Sequence, residues 1–199
     1  MNALWVVVTA LVSFLAGSIP FGYLIGRFVY RTDLRQHGSG NIGAMNALRT
    51  LGKGGAIAVL ILDAAKGAIP VLVAHVEPLM AIAATCAVLG HCFSPWLGWK
   101  GGKGVATAFG AIFALSWPAG LVIVAVWIVG ALLLTRYSSV GSMLATIAAP
   151  FALYAFTRDP YAAAFGVFAA ILIIWTHREN IGRLRAGTEG PISLFRRSA

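Results

Sequence analysis

Charge is scarce in this sequence, and acid is scarcest of all. Asp and Glu number six in 199 residues, and charged side chains make up 11%, against about 25% in a soluble domain. That shortage excludes an ordinary water-facing surface. Cysteine is nearly absent too. Cys86 and Cys92 cannot build a disulfide framework. On one helix they would lie on different faces, so they read as buried thiols. His91 beside Cys92 is too little for a metal site, and no other Cys/His spacing suggests one. No Ser-His-Asp set stands in a recognisable context. Met1 to Trp5 carries no positive residue, so the start does not read as a signal peptide.

What is abundant is apolar: 59% of the chain. It falls in runs near the roughly 20 residues that a bilayer-crossing helix needs. The expectation is a single all-α integral membrane domain over residues 1–199 with seven transmembrane helices, at 5–25, 56–76, 79–97, 105–117, 119–135, 141–156 and 161–176. Pro20, Pro70, Pro118 and Pro150 sit in or beside these spans, where neighbours compensate for the missing donor. Gly22 and Gly26 form a small-xxx-small pair suited to close helix packing. The formal charge of +9 then reads as topology rather than nucleic-acid binding. Thirteen of the fifteen Lys and Arg, Arg196 and Arg197 included, fall on the side reached after odd-numbered spans. Only Arg158 falls opposite, and Lys66 lies inside a span. Cytoplasmic loops carry such an excess, which places the N-terminus outside and the C-terminus in the cytoplasm.

Three polar segments adjoin the cytoplasmic ends of spans, in the loops 27–55, 98–104 and 177–199. The first is His37 to Asn46, continuing to Arg49. Ser39, Gly40 and Asn41 offer a hydroxyl, a permissive backbone and an amide. Asn46 and Arg49 follow at helical spacing, and Arg49 suits a planar oxyanion. A turn with a helix cap is the alternative. The second is Gly98 to Thr107. Gly101, Gly102 and Gly104 surround Lys103 just before a helix, a pattern that fits a phosphate cradle. A basic turn against anionic headgroups fits it also. It is not a Walker loop, since Gly104 follows Lys103 where Ser or Thr is required. In the third, His177 and Asn180 share a helix face. The segment after Gly187 suggests no chemistry. Asp63 and Lys66, inside a span, are spaced to pair, either as a structural pair or as support beneath a site.

Taken in order, these motifs resemble those of the bacterial acyl-phosphate:glycerol-3-phosphate acyltransferases, the PlsY family. The resemblance runs through Gly17-Ser18 with Pro20, Ser39 to Asn46, Leu62-Asp63 with Lys66-Gly67, Leu89-Gly90-His91 with Pro95, Lys100 to Thr107, and His177 to Leu184. Met45 departs from it, standing where the family usually has Thr. The His-Asp pair of thioester-using acyltransferases is absent: five positions after His37, His75, His91 and His177 stand Ile42, Met80, Trp96 and Gly182.

The resemblance implies acyl transfer from acyl phosphate to the 1-hydroxyl of glycerol 3-phosphate, giving lysophosphatidic acid and phosphate. That is the first acylation of phospholipid biosynthesis. It implies a multi-pass protein of the bacterial inner membrane, with its site facing the cytoplasm and no cofactor or metal. A soluble enzyme would supply the acyl phosphate. Ser39, Lys103, His177 and Asn180 are the expected catalytic residues. Gly40, Asn41, Asn46, Arg49, Gly101, Gly102, Gly104 and Thr107 are the expected binding residues. Within this set, Arg49, His177 and Asn180 are expected on glycerol 3-phosphate. The other reading of the same features is a transporter for phosphate or a phosphorylated solute. No inverted repeat or matched pair of broken helices supports it.

Overall fold

The structure, a computed structural model, describes residues 2–192. Met1 and residues 193–199, with Arg196 and Arg197, lie outside the described residues. The described residues form helices and loops: α1 (Ala3–Ser18), α2 (Phe21–Leu24), α3 (Ala44–Thr50), α4 (Gly52–Ala74), α5 (Glu77–Cys92), α6 (Val105–Leu115), α7 (Trp117–Ile128), α8 (Ser138–Thr157), α9 (Pro160–Thr176) and α10 (Arg178–Arg185). Wider π turns extend α2 over Ile25–Val29 and α7 over Val129–Leu134.

Five stretches are long and apolar enough to cross a membrane: Ala3–Val29, Gly52–Ala74, Glu77–Leu97, Trp117–Leu134 and Ser138–Thr157. The pair α9 and α10, bent by 55°, makes a sixth candidate. The fourth expected span, 105–117, falls short. Helix α6 has 11 residues, about 16 Å at roughly 1.5 Å per residue, against a hydrocarbon core of about 30 Å. Gly104, at φ +83°, and Ser116, in extended conformation, terminate it at either end.

Local sequence explains the breaks. Pro20 cannot donate to the preceding turn, so α1 stops at Ser18 and the helix resumes at Phe21. Pro70 and Pro150 lie inside α4 and α8 without ending them. Asp159 caps α9, accepting from the Tyr161 and Ala162 amides at 2.8 and 3.1 Å.

Small residues set the packing. A β-carbon on Gly67 of α4 would overlap the Thr107 carbonyl of α6, and one on Gly110 of α6 would overlap the Ala64 carbonyl of α4. The two helices therefore cross almost backbone to backbone, a geometry that favours small residues in membranes. Gly17 and Gly90 bring α1 against α5 in the same way. Gly22 departs from the expected helix pairing. Its empty side faces the Ile42 carbonyl, so it receives the first motif loop instead. Ala83, Ala84, Ala108, Ala149 and Ala169, all fully buried, fill the centre of the bundle.

Candidate active site

A cavity of about 640 Å³ opens where α3, α4, α6 and α10 approach one another. One end is polar and holds Ser39, Asn41, Arg49, Lys103, His177, Asn180 and Glu189. The other is an apolar arm of Leu60, Ala64, Ala68, Phe109, Phe113, Val124 and Trp127. Asp63 and His91 line it between α4 and α5. The three polar segments of the sequence thus converge on one chamber.

The first loop is shaped by Asn46, which is 2% exposed. Its amide donates to the carbonyls of Leu34, His37 and Asn41 at 2.9, 3.0 and 2.8 Å, and its oxygen accepts from the Ser39 amide at 2.9 Å. Asn46, expected to bind substrate, lines the cavity, and its side-chain polar atoms hold the loop. Gly40 shapes the same loop. Its amide donates to the His37 carbonyl at 3.0 Å, and at φ +69° it makes a turn that favours glycine. Asn41 accepts from the Gly43 amide at 2.8 Å, which fixes its oxygen. Ser39 lines the cavity with a hydroxyl that makes no bond among the described residues.

The second loop is also rearranged relative to expectation. The amides of Gly101 and Gly102 donate to the carbonyls of Cys92 and His91, each at 3.0 Å. Both amides are thus engaged within the fold, and neither glycine lines the cavity. Their missing side chains serve contact: a β-carbon on Gly102 would overlap the His91 ring. Thr107 is fully buried and lies outside the cavity wall. Lys103, Gly104, Val105 and Ala106 do line it. The chamber therefore meets the first turn of α6, where backbone amides lack helical partners. A cationic side chain beside a helix N-terminus is a site for an anion.

Lys103 donates to the Asn180 side-chain oxygen, and its carbonyl accepts from the Thr176 hydroxyl at 3.0 Å. Burial, together with the nearby Arg183 charge, pulls its pKa down to about 8. His177 is 3% exposed. Its Nδ1 donates to the Ile173 carbonyl at 2.7 Å, which leaves Nε2 as an acceptor. Burial first, then the Lys103 charge, lowers its pKa to about 4. It is neutral at physiological pH. Arg49 is exposed, and its guanidinium lies 3.4 Å from the Gly190 carbonyl, a long contact that a bound anion readily replaces.

The sequence assigned nothing to Glu189. The structure brings it to the cavity wall, where it accepts from Asn180 at 2.6 Å, Arg183 at 2.7 Å and Ser139 at 2.8 Å. Burial would raise its pKa, but these three bonds outweigh that and the pKa is lowered. Glu189 is thus a carboxylate. It fixes which way the Asn180 amide points: nitrogen to Glu189, oxygen to Lys103. Asn180, expected on glycerol 3-phosphate, is held at both ends, by Lys103 and by Glu189.

The comparisons agree with this geometry. The family model described as "Glycerol-3-phosphate acyltransferase" matches residues 7–187. The chain belongs to the glycerol-3-phosphate acyltransferase family. Among its relatives, proteins of that name from Mesorhizobium japonicum and Erythrobacter litoralis are 49% and 48% identical. The first comparison covers 90% of this chain and 92% of the relative; the second covers 92% of each. The crystal structure of PlsY, an integral membrane glycerol 3-phosphate acyltransferase, in its glycerol 3-phosphate form has a TM-score of 0.89 at 38% identity. That match covers 96% of this chain and 99% of that one. The lysophosphatidic acid form gives 0.87 at 37%, with the same coverage. Met45 lines the cavity.

Proposed function

We propose that this enzyme transfers an acyl group from acyl phosphate to the 1-hydroxyl of glycerol 3-phosphate at the cytoplasmic face of the bacterial inner membrane. One observation carries the reading: a single cavity joins a cationic polar end to an apolar arm. Such a cavity suits a donor with an anionic head and an acyl tail, together with a polar anionic acceptor. The PlsY forms named for glycerol 3-phosphate and lysophosphatidic acid support it. In the membrane all seven apolar helices would cross, α6 being the short one, with the N-terminus outside. The excess of Lys and Arg on one side supports that orientation.

An acyl phosphate is a mixed anhydride and needs little activation. Catalysis therefore consists of positioning and charge stabilisation. The donor phosphate would sit against Lys103 and the first turn of α6, with Ser39 and Asn41 alongside and the acyl chain in the apolar arm. Arg49 would hold the glycerol 3-phosphate phosphate. Its 1-hydroxyl, accepted by His177 Nε2, attacks the acyl carbonyl carbon. The carbon–oxygen bond to phosphate breaks, and phosphate leaves.

The proton goes to a phosphate oxygen. With a pKa of about 4, His177 is a weaker base than a phosphomonoester, whose second pKa is about 6. His177→Gln should therefore lower kcat by roughly tenfold or less, below the about 10²–10⁴-fold worth of a general base. A loss of several orders, with glycerol 3-phosphate binding intact, would make His177 the base instead.

Lys103 gives a second expectation. Its pKa in the free protein is lowered to about 8, so the ammonium is present below that pH and is lost above it. kcat/KM, which reports the free enzyme, should fall above about pH 8 in assays spanning pH 6 to 10. The limb in kcat should lie higher, because bound phosphate favours the charged form. The reaction itself is tested by giving purified protein acyl phosphate and glycerol 3-phosphate and following lysophosphatidic acid and phosphate. Absence of both products overturns the assignment.

A further inference from the structure

The loop that carries Lys103 rests on a buried polar cluster that the proposed reaction does not use. Asp63 and Lys66 of α4 pair at 2.8 Å, and their side chains are 1% and 3% exposed. Lys66 also donates at 2.6 Å to the Ile19 carbonyl, at the break between α1 and α2. His91 of α5, 3% exposed, stands with Nδ1 3.8 Å from the same Asp63 oxygen. That nitrogen makes no hydrogen bond to any described residue. The other edge of the ring meets Gly102, at the position a β-carbon would take. The next residue is Lys103.

We propose that His91, held over the Asp63–Lys66 pair, is a positioning residue for Lys103. The proposal rests on the role given to Lys103 above. Ions this deep are expensive unless paired and engaged. Here the pair ties the α1–α2 break to α4, and the His91 ring of α5 stands against it. His91 connects that pair to the loop in two ways. Its backbone carbonyl holds the Gly102 amide at 3.0 Å, and its ring forms the surface on which Gly102 lies. The height of that surface sets whether the Lys103 ammonium reaches Asn180 and the cavity. Gly102 is glycine because any side chain would lift the loop off the ring.

Complementary changes in volume test this. His91→Ala keeps the backbone bond and removes only the ring. It should lower kcat about tenfold or more, with the glycerol 3-phosphate KM nearly unchanged, because Arg49 is on α3. Gly102→Ala should also lower kcat, since the new methyl meets the ring. The double variant should be more active than the product of the two single losses, because the methyl then occupies the space the ring left. Such coupling is expected of residues in contact. Wild-type kcat in His91→Ala overturns the proposal, and so do strictly multiplicative losses. If His91→Ala does not fold, wild-type kcat in Gly102→Ala is sufficient to overturn it. Lys103→Met in the same assay keeps the two readings apart. An active Lys103→Met overturns the role of Lys103, whereas an inactive one beside a fully active His91→Ala overturns the present proposal alone.

Discussion

Lys103→Met lowers kcat by roughly 100- to 1,000-fold, the range seen when one preorganised charge-stabilising donor is removed. The size follows from where the ammonium sits. It is half-buried and aligned by Asn180, and the Asn180 amide is itself fixed by Glu189 at 2.6 Å. Substrate therefore meets a charge already in place, at the first turn of α6. Met keeps most of the stem and loses the charge, so the fold is preserved and the effect falls on chemistry. Lys103→Arg should not rescue fully. A planar guanidinium in place of a compact ammonium cannot keep the same bond to Asn180 in a site this enclosed. Steady-state rates at saturating glycerol 3-phosphate measure both variants. A Lys103→Met enzyme within tenfold of wild type would remove Lys103 from the transition state.

Arg49→Met raises the glycerol 3-phosphate KM by roughly 10- to 100-fold with a smaller change in kcat. A hydrogen bond to a charged group is worth about 1.5–3 kcal/mol, and about 1.4 kcal/mol is tenfold in affinity. The arginine is exposed at the cavity wall, and its one hydrogen bond among the described residues is the long contact to Gly190, so it can turn to an incoming phosphate. Acting on the non-reacting end of the acceptor, it supplies binding common to ground and transition states, which appears in KM. Arg49→Lys should recover part of the loss, through charge without the bidentate fork. A fall in kcat alone, with KM unchanged, would place Arg49 on the donor instead.

The convergence of Lys103, His177, Asn180 and Arg49 was legible in the sequence because polar groups in so apolar a chain have few places to go. The count of Lys and Arg put them on one side, and helical spacing put His177 and Asn180 on one face. What stayed hidden depended on partners rather than residue type. Glycine spacing around Lys103 signals close approach, but not whether the visitor is a phosphate or, as at Gly102, a histidine ring. Asn46 looks like a ligand until its bonds to Leu34, His37 and Asn41 are seen. Glu189 stands in a segment without periodicity, and its meaning comes from Ser139, fifty positions away in the chain. The fourth apolar helix had the right composition, but its length is fixed by the turn at Gly104, which composition does not show.

The central claim is that the glycerol 3-phosphate hydroxyl attacks the acyl carbon and phosphate departs. It is tested most directly with acyl phosphate labelled with ¹⁸O in the oxygen that bridges carbon and phosphorus. The purified enzyme is given the labelled donor with and without glycerol 3-phosphate, and both products are read by mass spectrometry. Attack at the carbonyl carbon predicts lysophosphatidic acid and phosphate in equal amounts, only when the acceptor is present, with all the label in the phosphate. Label retained in free fatty acid, or phosphate released without lysophosphatidic acid, would contradict it.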